Sequence, residues 1–360
     1  MIKKLYKLGC MELFKTYKLN QMKEHKLSDI FWETTLTCNA RCKHCGSNAL
    51  IKKYDDELTT EQVKKIFYDI AKDFPPDEIL INITGGEPLV REDIFEISKY
   101  LRKELGFHTG MTTNGILLNN ANIQKLKEAG LETISISIDG IGKTHDKFRG
   151  VEGSYNKIIN NIRELIKANF LSEIQVTTVF NKDNIDELDE LYNVMLGLGI
   201  ESWRLVSIDE IGRACDNNNL LLDGNELKKI LDFVKKNRNK SKMEILYGCP
   251  SFLGTEYEKE VRGQYFNCRA GISVASILYN GDLFVCPNVP RRRELIQGNA
   301  LKDNFKDVWE NKYKIFRNKD RTSNEECSKC EYYDFCLGGS FHTWDFDKKI
   351  QNKCVYKMMK

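Results

Sequence analysis

No run of apolar residues in this chain approaches the roughly 18 needed to cross a bilayer. The amino-terminal stretch lacks both the apolar core and the small-residue cleavage site of a secretory signal. An excess of one charge is missing too: 55 Lys and Arg stand against 52 Asp and Glu, and the basic residues are spread along the chain. That distribution argues against nucleic-acid binding as the main task, which calls for a basic stripe or patch. These absences place the chain, as an expectation, in the cytoplasm. In a compartment that keeps thiols reduced, its 12 cysteines are not a disulfide scaffold, and metal or catalysis has to account for them.

The cysteines are unevenly placed: Cys10, then Cys38, Cys42 and Cys45, then Cys215, then seven between Cys249 and Cys354. The triplet, in Cys38-Asn-Ala-Arg-Cys42-Lys-His-Cys45, follows the apolar run Ile30-Phe-Trp and offers three thiolates from one loop. A structural zinc wants four ligands, and neither a fourth cysteine nor a ligand pair lies nearby. Two readings stay open: half of a zinc site completed from elsewhere, or a four-iron cluster held by three thiolates with one iron left open. Open coordination positions separate a reactive metal centre from a structural one.

Between residue 30 and residue 240, β-branched runs alternate with amphipathic stretches. The pattern predicts strands at 30–35, 79–84, 108–113, 133–138, 174–180 and 203–208. Helices are expected near 60–73, 93–105, 120–129, 155–169, 184–197 and 224–238. Thr59-Thr-Glu-Gln and Asp223 are helix starts, and Gly130 and Gly199 sit where helices should stop. Alternation at this spacing means an α/β fold, a parallel sheet with crossover helices. Six units are two short of a closed eightfold barrel, so an open, partial (β/α)6 TIM-like barrel is expected over 30–240. The length exceeds what one core usually serves, which sets apart a smaller unit at 241–360 and a basic extension at 1–29. The lysines of that extension suit an acidic peptide, a membrane surface or, most simply, the solvated face of a helix.

Chemistry in such barrels sits at the carboxyl ends of the strands. There the chain places the cysteine loop, then Thr84-Gly85-Gly86-Glu87-Pro88, then Thr113-Asn114-Gly115, then Ser137 and Asp139-Gly140. Asn-Gly and Asp-Gly are also ordinary turn dipeptides, and convergence on one rim carries the functional reading. Gly85 and Gly86 leave the backbone open to a ligand amine; Glu87 can orient the turn and Pro88 ends the strand. Asn114, Ser137 and Asp139 offer amide, hydroxyl and carboxylate groups suited to sugar hydroxyls and an amino-acid carboxylate. Arg149, in His145-Asp-Lys-Phe-Arg149-Gly150, is either a fork for that carboxylate or a surface ion-pair residue.

The tail has spacings of its own. Ile277-Leu-Tyr-Asn-Gly-Asp-Leu-Phe-Val reads as a β-hairpin with an Asn-Gly-Asp turn, flanked by Cys268 and Cys286. Cys327-Ser-Lys-Cys330, Cys336 and Cys354 supply four more thiolates, enough for a zinc ribbon or for a cluster without borrowing.

The cysteine loop, the Gly-Gly-Glu-Pro turn and the ordered strand ends resemble the radical SAM superfamily. The tail resembles its cysteine-rich SPASM extension, a β-hairpin plus helices, so the two likenesses span nearly all of the chain beyond residue 30. The first implies a [4Fe-4S] cluster on Cys38, Cys42 and Cys45, with S-adenosylmethionine (SAM) bound amine-first against Gly86. It also implies reductive cleavage of SAM to methionine and a 5′-deoxyadenosyl radical that takes a hydrogen from the substrate. Ser137 and Arg149 match positions that contact SAM in peptide-modifying members. The family's usual aromatic residue before the third cysteine, which packs on adenine, is here His44, able to stack and to hydrogen-bond. The SPASM likeness implies two auxiliary [4Fe-4S] clusters, one on Cys327, Cys330, Cys336 and Cys354, the other on Cys268 and Cys286 with Cys249. The cysteine usual three residues after Cys336 is replaced by Ser340, so the latter cluster either keeps an open iron or recruits a ligand such as His342.

The expected activity is that of a cytoplasmic radical SAM oxidoreductase, with flavodoxin or ferredoxin as reductant. Its substrate is expected to be a peptide or protein, modified by crosslinking, epimerisation or oxidation. The first 30 residues are too few for the winged-helix leader-peptide domain of some such enzymes. A small-molecule or porphyrin-type substrate is the alternative, and a non-catalytic iron–sulfur electron carrier is a third reading, against which the Gly85–Glu87 turn speaks. Cys215, following Gly212-Arg-Ala beyond the sixth strand, is either a hydrogen donor to a substrate radical or a loop thiol, and Cys10 is a helix-face residue.

Overall fold

The computed structural model describes residues 2–248, 251–318 and 324–360. Seven strands lie side by side, all parallel and in chain order: β1 (Asp29–Glu33), β2 (Leu80–Thr84), β3 (His108–Thr113), β4 (Thr133–Ser137), β5 (Glu173–Phe180), β6 (Ser202–Ser207) and β7 (Glu244–Tyr247). An amino-terminal helix, α1 (Ile2–Glu24), comes first. The connections are α2 (Thr60–Asp73), α3 (Ile94–Lys99, running on as a π-turn to Glu104), α4 (Asn120–Ala129), α5 (Lys143–Arg149), α6 (Ser154–Ala168), α7 (Leu188–Leu198) and α8 (Gly224–Asn237). The fold is the partial, TIM-like barrel, with one more parallel strand than the six-unit expectation because Glu244-Ile-Leu-Tyr extends the sheet beyond β6.

Local chemistry explains the boundaries. Thr59 and Gln62 form a complete capping box on α2, and Asp223 and Glu226 do the same on α8. α6 turns Ile158, Ile159, Ile162 and Leu165 inward from one stripe, the apolar face that seats it on the sheet. β5 alternates half-buried and buried positions along its whole length, as a strand with one face in the core must.

The tail is not a separate leaf. Its hairpin, β8 (Val274–Ile277) and β9 (Asp282–Phe284), pairs Ser276 with Phe284 and Ile277 with Leu283. β8 also runs parallel to β1, with Asp29 opposite Val274 and Trp32 opposite Ile277. A two-residue strand, β10 (Gly298–Asn299), finishes that edge, giving a ten-stranded sheet. β1 is therefore an interior strand, and Ile30 and Trp32 are fully buried. Most of the basic stretch at the amino terminus forms α1, and four of its lysines are engaged. Lys7 pairs with Glu260, Lys15 with Asp334 and Lys26 with Glu78, and Lys18 donates to the Phe335 carbonyl. Met11 packs with Phe252, Phe266 and Tyr332, so α1 braces the tail rather than presenting a wholly solvated face.

Closed eightfold barrels fill their interior with branched aliphatic side chains. Here the lumen is open, a cavity of about 600 Å³ walled by polar groups such as Asn82, Thr112, Ser135, Gln175, Thr177 and Arg204.

Candidate active site

The cavity opens at the carboxyl ends of the strands onto Cys38, Cys42 and Cys45. Their loop is clamped from two sides by backbone. The amides of Arg41 and Lys43 donate to the carbonyls of Arg149 and Phe148 at the end of α5, at 3.0 and 2.9 Å. The turn after β6 holds the other side: Arg213 Nε donates to the Cys42 carbonyl and Nη1 to that of Ala49, both at 2.8 Å, and Asn217 caps Lys43. A β-carbon on Gly212 would lie 2.3 Å from the Cys45 carbonyl oxygen, so only glycine lets this turn approach. Sequence reasoning missed Arg213 and Asn217, although the glycine beside Arg213 was a usable signal.

The Gly85-Gly86 pair lines the cavity, and its backbone is also spent on the neighbouring loop. Gly86 N donates to the Thr35 carbonyl at 2.7 Å and Glu87 N to that of Thr37 at 3.0 Å. A β-carbon on Gly86 would sit 2.2 Å from Thr37 O. Glu87 is fully buried and orients the rim from behind: it accepts from Thr113 Oγ1 at 2.7 Å, Asn114 N at 2.8 Å and Leu89 N at 3.2 Å. Burial raises its carboxyl above the usual range. Pro88 opens a buried 3-10 turn and does not reach the cavity. Asn114 does, but its amide nitrogen is given to Asn39 Oδ1 at 2.7 Å, within the cysteine loop.

Asp139 corrects an expectation. It was expected to offer its carboxylate to a sugar or an amino-acid group, yet it is buried behind the wall. Oδ1 accepts from Val179 N at 2.7 Å and Oδ2 from Arg149 Nε at 2.5 Å. Burial works against its charge, but the Arg149 guanidinium prevails and holds the carboxyl below its usual range. Arg149 is no surface residue: it lines the cavity with Nη1 3.5 Å from Cys42 Sγ. Ser137 lines it as well. His44 stacks on Phe148, ring centres 4.5 Å apart and planes nearly parallel, while its Nδ1 is buried with no partner. Burial, with Arg149 adding to it, lowers the imidazole to about 3, so the ring is neutral.

Cys215 is exposed on the turn after β6 and stands outside the cavity wall; that turn sends Arg213 inward instead. In the tail, Cys286 and His342 line the same cavity as the triplet. His342 Nε2 lies 3.3 Å from Asp209 Oδ2, and Lys353 donates to Asp209 Oδ1 at 2.6 Å and to Ser207 Oγ at 2.7 Å. The thiols of Cys327, Cys330 and Cys354 lie within electrostatic reach of one another, and that of Cys336 within reach of Cys327 and Cys354. Cys268, expected to share a cluster with Cys286, packs against the apolar group of Met11, Phe252, Phe266 and Tyr332, as Cys330 and Cys336 also do. Ser340 is buried, its carbonyl accepting from Thr343. Cys249 lies outside the described residues. Among the described residues no three His, Cys, Asp or Glu side chains converge closely enough to hold a single metal ion.

The family models match this layout: "Radical SAM superfamily" over residues 32–195 and "Iron-sulfur cluster-binding domain", SPASM, over 268–331. An AdoMet-dependent heme synthase of Methanosarcina barkeri is 30% identical over 327 residues, covering 86% of this chain and 90% of that protein. The chain belongs to the radical SAM superfamily. Mycofactocin maturase MftC of Mycolicibacterium smegmatis is 28% identical, over 86% of this chain and 76% of that one. Among solved structures, Streptococcus suis SuiB bound to S-adenosylmethionine superposes with a TM-score of 0.73 at 17% identity, over 95% of this chain and 81% of that one, a likeness of fold.

As a radical SAM enzyme the protein takes iron–sulfur clusters and SAM as cofactors, and the residues present fit them. Three thiols face one cavity, a guanidinium stands beside them, and the orphaned nitrogens His44 Nδ1 and Asn82 Nδ2 are buried at its wall. When bound, the cofactors supply one-electron chemistry and hydrogen-atom abstraction. The chain supplies the rest. Burial pushes Cys38 up to about 12, so loading the site displaces thiol protons. The Asp139–Arg149 pair keeps a fixed positive charge beside those sulfurs and aims it into the cavity.

Proposed function

We propose that this radical SAM enzyme acts on a carboxylate-bearing tetrapyrrole, drawing a hydrogen atom from its periphery. The reading is supported by the printed name of the Methanosarcina barkeri relative, whose similarity runs through both barrel and tail. The structural observation that carries it is a single polar cavity reaching from Cys38, Cys42 and Cys45 to Cys286 and His342. A substrate there is reached from both cofactor-bearing ends. In this reading the triplet holds the SAM-binding cluster and Arg149 the SAM carboxylate. Cys327, Cys330, Cys336 and Cys354 hold one auxiliary cluster; Cys268 and Cys286, with Cys249, hold the other. Among the described residues no helix is long and apolar enough to cross a membrane, and flavodoxin or ferredoxin is the proposed reductant.

The test uses anaerobically reconstituted protein with dithionite and SAM. Adding an iron coproporphyrin is expected to raise 5′-deoxyadenosine formation and to lower the porphyrin mass or unsaturate its side chains. Porphyrin left unchanged, with a co-encoded peptide altered in mass instead, would overturn the reading in favour of peptide maturation.

A further inference from the structure

We propose that Arg204 is the substrate-anchoring residue of the lumen, pairing with a carboxylate of the bound substrate. The inference rests on the tetrapyrrole reading above.

Arg204 lies on β6 opposite Thr177 and Leu246, and its side chain enters the cavity. The flanking residues of the strand, Trp203 and Leu205, are fully buried on the other face, so the alternation fixes Arg204 inward. Its guanidinium stands over Gly248, where a β-carbon would come within 3.0 Å of Nε and 3.4 Å of Nη2. The backbone there is bare, and the fork lies against it.

No acceptor is placed on that guanidinium among the described residues, although the other two arginines of the cavity are bound. Arg149 is held by Asp139, and Arg213 by the carbonyls of Cys42 and Ala49. The neutral polar groups of the lumen nearest on β4 and β5 are engaged with other partners. Ser135 and Thr177 share a hydrogen bond at 3.0 Å, and Gln175 donates to Ser202 at 3.2 Å. Of the two carboxylates on the cavity wall, Asp209 is held by Lys353 and His342, and neither it nor Glu173 pairs with Arg204. An arginine left without an ion pair in a polar lumen is a planar, permanently charged donor fork, the group best matched to a carboxylate. A tetrapyrrole with acidic side chains supplies such a group. Arg204 would fix which edge of the macrocycle points up toward the cysteine loop.

The test measures Kd by absorbance titration of the loaded protein with iron coproporphyrin and with its methyl ester. Wild type is expected to prefer the acid. Arg204→Gln should weaken the acid by roughly ten- to a hundredfold, the loss of one charge-assisted pair, and leave the ester unchanged. Arg204→Lys should fall between them, since it keeps the charge and loses the fork. Gly248→Ala should weaken the acid in the same direction by displacing the guanidinium. Melting temperature and iron per chain report that each variant is folded and loaded. If wild type binds the acid and Arg204→Gln binds it equally well, the assignment of Arg204 is overturned while the tetrapyrrole reading stands. If wild type binds neither porphyrin, that reading falls and this inference falls with it.

Discussion

Asp209 ties the end of β6 to the tail through Lys353 and His342. Burial opposes its charge, but those partners hold the carboxyl down at about 2, below its ordinary 3.8. A depressed carboxyl adds stability that is present above the unfolded value and lost as pH falls through the folded one, here between pH 4 and 2. Asp209→Asn is therefore expected to cost about 2 kcal/mol at pH 7, read by chemical denaturation, with the difference from wild type gone near pH 2. The Asp139–Arg149 pair is buried more deeply than Asp209 and Lys353, so the cation that its loss strands has less access to water. Asp139→Asn should destabilise by roughly 3–5 kcal/mol and weaken SAM binding measured by equilibrium dialysis. Unchanged SAM affinity in a folded variant would show that Arg149 does not depend on Asp139. At this scale chemistry was legible and direction was not: a carboxylate after the fourth strand could be read, but not whether it faced a ligand or an arginine. Direction depends on Val179 and Arg149, residues 40 and 10 positions away.

The elements that hold the cysteine loop are turns, and in a turn the sequence marks a position without saying which of its groups does the work. Gly212-Arg-Ala-Cys drew attention to the thiol, whereas the working groups are the glycine's missing side chain and Arg213. Gly212 also has a positive φ of 56°, which a β-carbon strains regardless of space. Gly212→Ala should therefore lift the turn off the loop and lower iron bound per chain after reconstitution, with a smaller effect on far-UV ellipticity. Cys215→Ala should leave iron content at the wild-type level, since that thiol is exposed and away from the cavity wall. The strands and helices of the barrel were far more legible, because capping boxes, left-handed glycines and alternation are local signals. Thr59, Asp223, Gly130 and Gly199 each do in the structure what their spacing suggests.

What no local signal could show is how tail and barrel join. β8 finds β1 across about 240 residues of chain, and neither strand carries a mark naming its partner. The hairpin was readable from its turn; its second use, as the eighth parallel neighbour of the sheet, was not. This join has an energetic consequence. Without β8, the ladder from Asp29 to Trp32 loses one of its two partners, and β1 becomes an exposed apolar edge next to the cysteine loop. α1 would lose its apolar contacts with Phe252, Phe266 and Tyr332 as well. A chain truncated after residue 240 is therefore expected not to yield a folded barrel that can be loaded. Purified under the same anaerobic conditions, it should aggregate or melt without a cooperative transition and bind little iron, even though the whole cysteine triplet is retained. A truncated chain that melts cooperatively and takes up about four iron atoms, the content of one cubane cluster, would mean that β1 keeps its place without β8 and that the tail only covers a barrel already complete.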